Sequence, residues 1–262
     1  METVRKFVVL GVLVIIGIGV CGCGMKKDNG DSNKKITGDK IAELVLNERQ
    51  KEILEEVGLP TNVEKLDYMQ KKAIIAIDEM LCEIENKYDI SFSYAGYIAP
   101  GPVEEEQLFA YPTGGDEDEE QFTVIRTKED GKYVYEDGYV NVVARPVYMS
   151  YVLEYCQTQL GEGNVKVYSV ITRIKNKSIP IKEEDIDFNI NGDSCILVDG
   201  KKVTEEDYNK FLSDYEKWTE EHGIEDNAQF VLLKDGIMES VTKYNYTDYL
   251  SPEYYLHRDF KN

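Results

Sequence analysis

Residues 61–94 read TNVEKLDYMQKKAIIAIDEMLCEIENKYDISFSY, and this stretch decides the fold class. Leu66, Ala73, Ile74, Ile77, Met80, Leu81, Ile84 and Tyr88 recur at three-and-four spacing, which marks one buried face of a helix. Thr61, with Glu64 three residues on, offers a capping box ahead of it. Ile90, Phe92 and Tyr94 then alternate with Ser91 and Ser93, the period of a half-buried strand. A long amphipathic helix handing over to a strand predicts an α+β fold.

Outward from this stretch the same chemistry repeats. Upstream, Ile41, Leu44, Val45, Ile53, Leu54 and Val57 give a helix from about Asp39 to Val57, closed by Gly58-Leu59-Pro60. Downstream, Leu108–Tyr111, Phe122–Ile125 and Lys132–Tyr135 are short apolar runs separated by Pro100-Gly101-Pro102, Gly114-Gly115 and Asp130-Gly131. Such breaks are turn chemistry, so helices packed on an antiparallel β-meander are expected. A helix from about Pro146 to Leu160 and a returning strand at Val165–Val170 follow. Next, Ile186, Phe188 and Ile190 lead into Asn191-Gly192, with Cys195–Val198 beyond, which predicts a hairpin with a type I′ turn. Thr204 and Asp207 open a helix carrying Tyr208, Phe211, Leu212, Tyr215 and Trp218 on one face, ended by His222 and Gly223. Phe230–Leu233 is a strand, giving a β-hairpin/helix/strand C-terminal part. The segment with Tyr244, Tyr246, Tyr249, Tyr254 and Tyr255 carries no clear period.

The N-terminus has a different character. Arg5 and Lys6 precede Phe7–Val20, which holds no charge, and the run ends in Val20-Cys21-Gly22-Cys23 before turning polar. A basic head, a short apolar core and small residues at its end form an export signal; the core is shorter than the ~20 residues of a bilayer span. Val-Cys-Gly-Cys resembles the lipobox of bacterial lipoproteins, with Val20 at −3 and Gly22 at −1. The resemblance implies that Cys23 is the first mature residue and carries a diacylglyceryl group. It also implies a location on the outer face of the cytoplasmic membrane. The expected organisation is a signal peptide at 1–23, a polar tether at 24–37 and an α+β body at 38–262, with any subdivision near 176–181. The body, with Leu59-Pro60, Lys87-Tyr88-Asp89, Tyr111-Pro112 and Asp248-Tyr249-Leu250-Ser251-Pro252, resembles uncharacterised lipoproteins of Firmicutes.

Charge narrows the partners. The 262 residues carry a formal −20, and the leader, with Glu2 against Arg5 and Lys6, is itself basic, so the mature part is more acidic still. That field repels nucleic-acid phosphates and anionic headgroups. Nucleic acid is excluded as a partner, and membrane attachment must come from the lipid on Cys23 rather than from a basic patch.

Catalytic chemistry has little material. Two histidines, His222 and His257, are present, and His222 suits the C-terminal end of a helix dipole. There is no Gly-x-Ser-x-Gly elbow, His-Glu-x-x-His, phosphate loop or dinucleotide fingerprint. Cys82, Cys156 and Cys195 match no zinc spacing and are expected as buried thiols. Asp187-x-Asn189-x-Asn191-Gly192 begins like a calcium loop, but Val198 stands where the bidentate Glu belongs. Glu104–Glu106 and Asp116–Glu120 are expected as solvated loops. Nineteen tyrosines offer contact area at low entropic cost, or else edge the core. These features predict a non-enzymatic binding or accessory module for an envelope partner, with no catalytic, cofactor or metal site. The alternatives are a solute-binding lipoprotein and a carboxylate-based envelope hydrolase.

Overall fold

The computed structural model describes residue 41 and residues 44–176 and 179–261. The chain divides into two compact units at Gly138/Tyr139. Among the described residues there are five α-helices and two four-stranded sheets, and the class is α+β. None of these helices is long and apolar enough to cross a membrane.

The first unit contains α1 (Glu48–Glu56), α2 (Gln70–Tyr88), β1 (Phe92–Ile98), β2 (Glu106–Pro112), the single turn α3 (Glu117–Glu120), β3 (Phe122–Glu129) and β4 (Lys132–Asp137). The strands pair β1-β2-β3-β4, each antiparallel to the next, which is the meander expected from the turn chemistry. Helix α2 buries Ile74, Ile77, Met80, Leu81 and Ile84, and Phe92, Tyr94, Leu108, Ala110, Phe122 and Val124 are among the buried residues of β1–β3.

The caps differ from expectation in detail. Leu44–Asn47 are not helical and helix α1 starts at Glu48, because Asn47 accepts from Gln50 N (2.8 Å) while Gln50 reaches back to Asn47 N (2.9 Å); the expected start near Asp39 lies outside the described residues. Its end follows the Gly58 signal: Gly58 lies at φ +74, Gly58 N bonds Glu55 O and Leu59 N bonds Leu54 O. Thr61 does not cap α2. Asn62 caps a 3₁₀ turn at Val63–Lys65, and Asp67 with Gln70 forms the reciprocal box at the true helix start.

The second unit contains α4 (Tyr139–Leu160), β5 (Val165–Ile174), β6 (Ile190–Asp199), α5 (Glu205–His222), β7 (Ala228–Leu233) and β8 (Tyr255–Lys261). Its sheet runs β5-β6-β7-β8, with β6 and β7 parallel and the other pairs antiparallel. A parallel pair needs a crossover, and α5 supplies it. Helix α4 starts seven residues before Pro146, which is accommodated inside the helix.

The Asn191-Gly192 hairpin is not formed. Both residues lie within β6, which pairs along its length with β5. Gly192 has no positive φ; it is needed for close approach instead. A Cβ there would sit 2.6 Å from Tyr148 Cε1 and 3.0 Å from the Val170 carbonyl oxygen. The central strands β6 and β7 are buried on both faces. Phe230 packs edge-on against Phe211 and Tyr215 of α5, while Cys195, Leu197, Val231 and Leu233 cluster with Met238 and Val241.

Candidate functional site

Helix α1 places Arg49, Glu52, Ile53 and Glu56 on one face, as i, i+3 and i+4 spacing requires. That face, Glu85 of α2, the start of β1 (Phe92–Tyr94) with Ser91 before it, and the end of β2 (Tyr111) with Thr113 after it enclose a groove of about 410 Å³, within the size range of small-molecule sites.

One wall is fixed by a buried ion network. Asp78, with no exposed surface, accepts from Asn47 Nδ2 (3.0 Å), Arg49 Nε (2.9 Å) and Gln50 Nε2 (3.1 Å). Arg49 also pairs with Glu85 at 2.7 Å and donates to Cys82 Sγ at 3.0 Å. Burial opposes the charge on Arg49, but Glu85 and Asp78 outweigh it and hold the guanidinium above its ordinary range. Its charge is thereby committed to groups already in place, and Glu85 Oε1 further takes Phe92 N (3.2 Å).

Two other carboxylates of the lining are exposed. Among the described residues, Glu52 and Glu56 have no ion-pair or hydrogen-bond partner. Partial burial, and then the charge of Glu117, push the Glu56 carboxyl upward. Tyr94 is 7% exposed and lines the groove. Burial first, then the charge of Glu56, raise its hydroxyl to about 12.

Two other polar clusters are buried rather than open. In the first unit Arg126 bonds Glu106 through Nε (2.6 Å) and Nη2 (2.8 Å) and Glu79 through Nη1 (3.0 Å). In the second, Asp226 is 4% exposed and accepts a short hydrogen bond from Tyr215. Burial lifts its carboxyl from 3.8 to about 6, against the pull of the Tyr215, Ser194 and Tyr148 hydroxyls.

The features singled out in the sequence fall in separate places. Cys23 lies outside the described residues. Cys82 and Cys156 sit in helices and Cys195 in a strand, all three buried. Asp187 takes the Tyr151 hydroxyl, Asn189 takes Asn176 N and Asn191 bonds Glu225, so the three converge on no common point. No group of three or more His, Cys, Asp or Glu among the described residues is arranged to hold a metal. Asp116–Glu120 becomes a capped helical turn, whereas Glu106 is a buried strand residue and not part of a solvated loop. His222 Nδ1 lies 2.8 Å from Trp218 O, and His257 pairs with Glu205 at 3.2 Å. Tyr246, Tyr249 and Tyr255 pack on the core of the second sheet, which is the core-edging role; Tyr244 is 64% exposed. The groove was not anticipated, since neither Glu52 nor Glu56 stands out among the many carboxylates of the chain.

No family model matches the sequence, and no curated protein matches it. Among solved structures, the chain is similar to a DUF5037 family protein from Ruminococcus gnavus, with a TM-score of 0.36 and 13% identity over 63% of this chain and 78% of that one.

Proposed function

We propose that this chain is an extracytoplasmic lipoprotein, held at the outer face of the cytoplasmic membrane by lipid on Cys23. Its body acts as a non-enzymatic binding or accessory module for an envelope partner. The observation that carries the anchoring is the Val20-Cys21-Gly22-Cys23 sequence closing an uncharged core behind Arg5 and Lys6. A body this acidic is repelled by anionic headgroups, so a diacyl group, gaining ~0.8 kcal/mol per buried CH₂, must supply the attachment. Cys23→Ala is expected to move the protein from the membrane to the soluble fraction and to abolish incorporation of labelled fatty acid. Membrane attachment that persists in the variant without label would replace the lipid anchor with an uncleaved helix.

Cross-linking of the native protein in its own membrane tests the accessory role. Recovery of one envelope protein at fixed stoichiometry supports it, and recovery of none removes it. Solute capture is the second reading, and the groove favours it: an open groove of about 410 Å³, with one wall fixed by the Asp78–Arg49–Glu85 network, is of a size for a small ligand.

A further inference from the structure

We propose that the segment joining α5 to β7, residues 223–227, is a proton-operated latch. It lies closed against β6 while the Asp226 carboxyl holds a proton, and it is released when that proton leaves. The latch is independent of the lipid anchor and of any partner.

Closure is built from ties to β6. Gly192 N donates to Glu225 O (3.1 Å), Asn227 N donates to Gly192 O (3.0 Å), and Asp226 bridges Gly192 in parallel register. Asn191 Nδ2 reaches Glu225 (2.7 Å) and Asn227 Nδ2 reaches Asp193 (2.6 Å). Glu225 and Asn227 are exposed, whereas Asp226 between them is 4% exposed, so closure carries one carboxyl inward. Gly223, at φ +61, ends α5 and puts the most permissive residue at the helix side of the segment. A short displacement, without unfolding of the unit, returns Asp226 to water.

The interior that Asp226 enters offers hydroxyls and no counter-charge. Tyr148 and Cys156 of α4, Tyr215 of α5, and Ser194 and Asp193 of β6 are the polar and titratable groups facing it. Ser194 is joined in turn to Ser169 of β5 at 2.7 Å. Among the described residues no Lys, Arg or His pairs with Asp226. Tyr215 donates to Oδ2, while Oδ1 and the fully buried Tyr148 hydroxyl lack a partner. An ionised carboxylate here loses hydration with no cation to offset the loss. A protonated one is neutral and brings an O–H donor to the oxygens beside it. Burial pushes Tyr148, Tyr215 and Cys156 upward, which leaves Asp226, at about 6, as the buried group that changes charge below neutral pH.

Hydrogen exchange of the full chain in detergent, corrected for the intrinsic pH dependence of amide exchange and read by mass spectrometry, tests the latch. Protection of peptides spanning 223–228 is expected to fall about 50-fold from pH 4 to pH 7, since opening gains tenfold per unit between the released and closed values of the carboxyl. These amides should also exchange ahead of Phe230–Leu233 and ignore dilute urea, the marks of local opening. Asp226→Asn should remove the pH dependence. Two further variants shift it in opposite senses: Asp193→Asn removes a neighbouring charge and should shrink the fall, and Tyr215→Phe removes a donor and should enlarge it. No fall in the parent, or a fall that persists in Asp226→Asn, would overturn the proposal. So would segment amides that share the rate and urea dependence of Phe230–Leu233, or a fall unmoved by both Asp193→Asn and Tyr215→Phe.

Discussion

Arg126→Met is expected to destabilise the first unit by about 3–5 kcal/mol, the usual consequence of removing one partner from a buried ion pair. The arginine side chain is 1% exposed and that of Glu106 7% exposed. Their two hydrogen bonds form a parallel fork, the geometry in which guanidinium–carboxylate bonds are strongest. The register makes this possible, since Glu106 and Arg126 are direct partners across β2 and β3. Glu79 adds a third bond, and the guanidinium lies 4.3 Å from the centre of the Tyr133 ring. Burial works against the charge on Arg126, but Glu106 more than offsets it and the net shift is upward. Without the arginine, Glu106 keeps only the Tyr97 hydroxyl and becomes a nearly unpaired buried carboxylate. Methionine has similar length and no charge, so packing loss is small and the electrostatic loss dominates. The double variant Arg126→Met/Glu106→Leu should recover more than half of the loss, because two apolar residues can replace a buried pair at little cost. Urea denaturation followed by far-ultraviolet circular dichroism measures both. A single variant within about 0.5 kcal/mol of the parent would fall in the range of ordinary surface substitutions and show that Glu106 is solvated after all.

Much of this fold was legible because its signals are local. Helix α5 is the clearest case: Thr204 accepts from Asp207 N (3.1 Å), the five aromatic and aliphatic residues named from the sequence are all buried, and Gly223 sits at φ +61 as its C-cap. Each of these signals lies within four residues of what it controls. Gly192 shows where local reasoning ends. A glycine after asparagine satisfies a left-handed turn, but it also permits a close approach, and here the determinant is the ring of Tyr148, far earlier in the chain. Glu106 was hidden in a run of three glutamates; its alternation with the buried Leu108 and Ala110 was the available clue. The groove had no comparable clue. Burial of Tyr94 follows from its alternation with Phe92, but the groove it lines depends on α1, β1 and β2 at once.

A different kind of test concerns Asp226, whose stability contribution is expected to run against the usual direction for a carboxylate. Its folded value of about 6 lies above the ordinary 3.8, so the folded chain binds a proton that the unfolded chain releases across that interval. Stability therefore declines as pH rises from about 4 to about 6 and is level above that, as proton linkage requires. At ~1.4 kcal/mol per unit, the penalty at neutral pH is about 3 kcal/mol at most. Burial is the cause. Tyr215 donates to Oδ2, but Oδ1 and the Tyr148 hydroxyl are left without hydrogen bonds of ordinary geometry, and the charge of Asp193 adds to the cost of ionisation. Asp226→Asn keeps an acceptor for Tyr215 and places an N–H₂ donor where the proton would be. The variant should match the parent near pH 4 and exceed it by up to about 3 kcal/mol above pH 7. Trp218, the single tryptophan of the chain, lies in the second unit and stacks on Tyr155 at 4.3 Å, so its fluorescence follows unfolding of the right region. Subtracting variant from parent across the pH series cancels the other carboxylates and isolates this one. A parent that gains on the variant as pH rises would mean that Asp226 is charged and stabilised by the hydroxyls around it, and that the cluster is a satisfied network instead of a strained one.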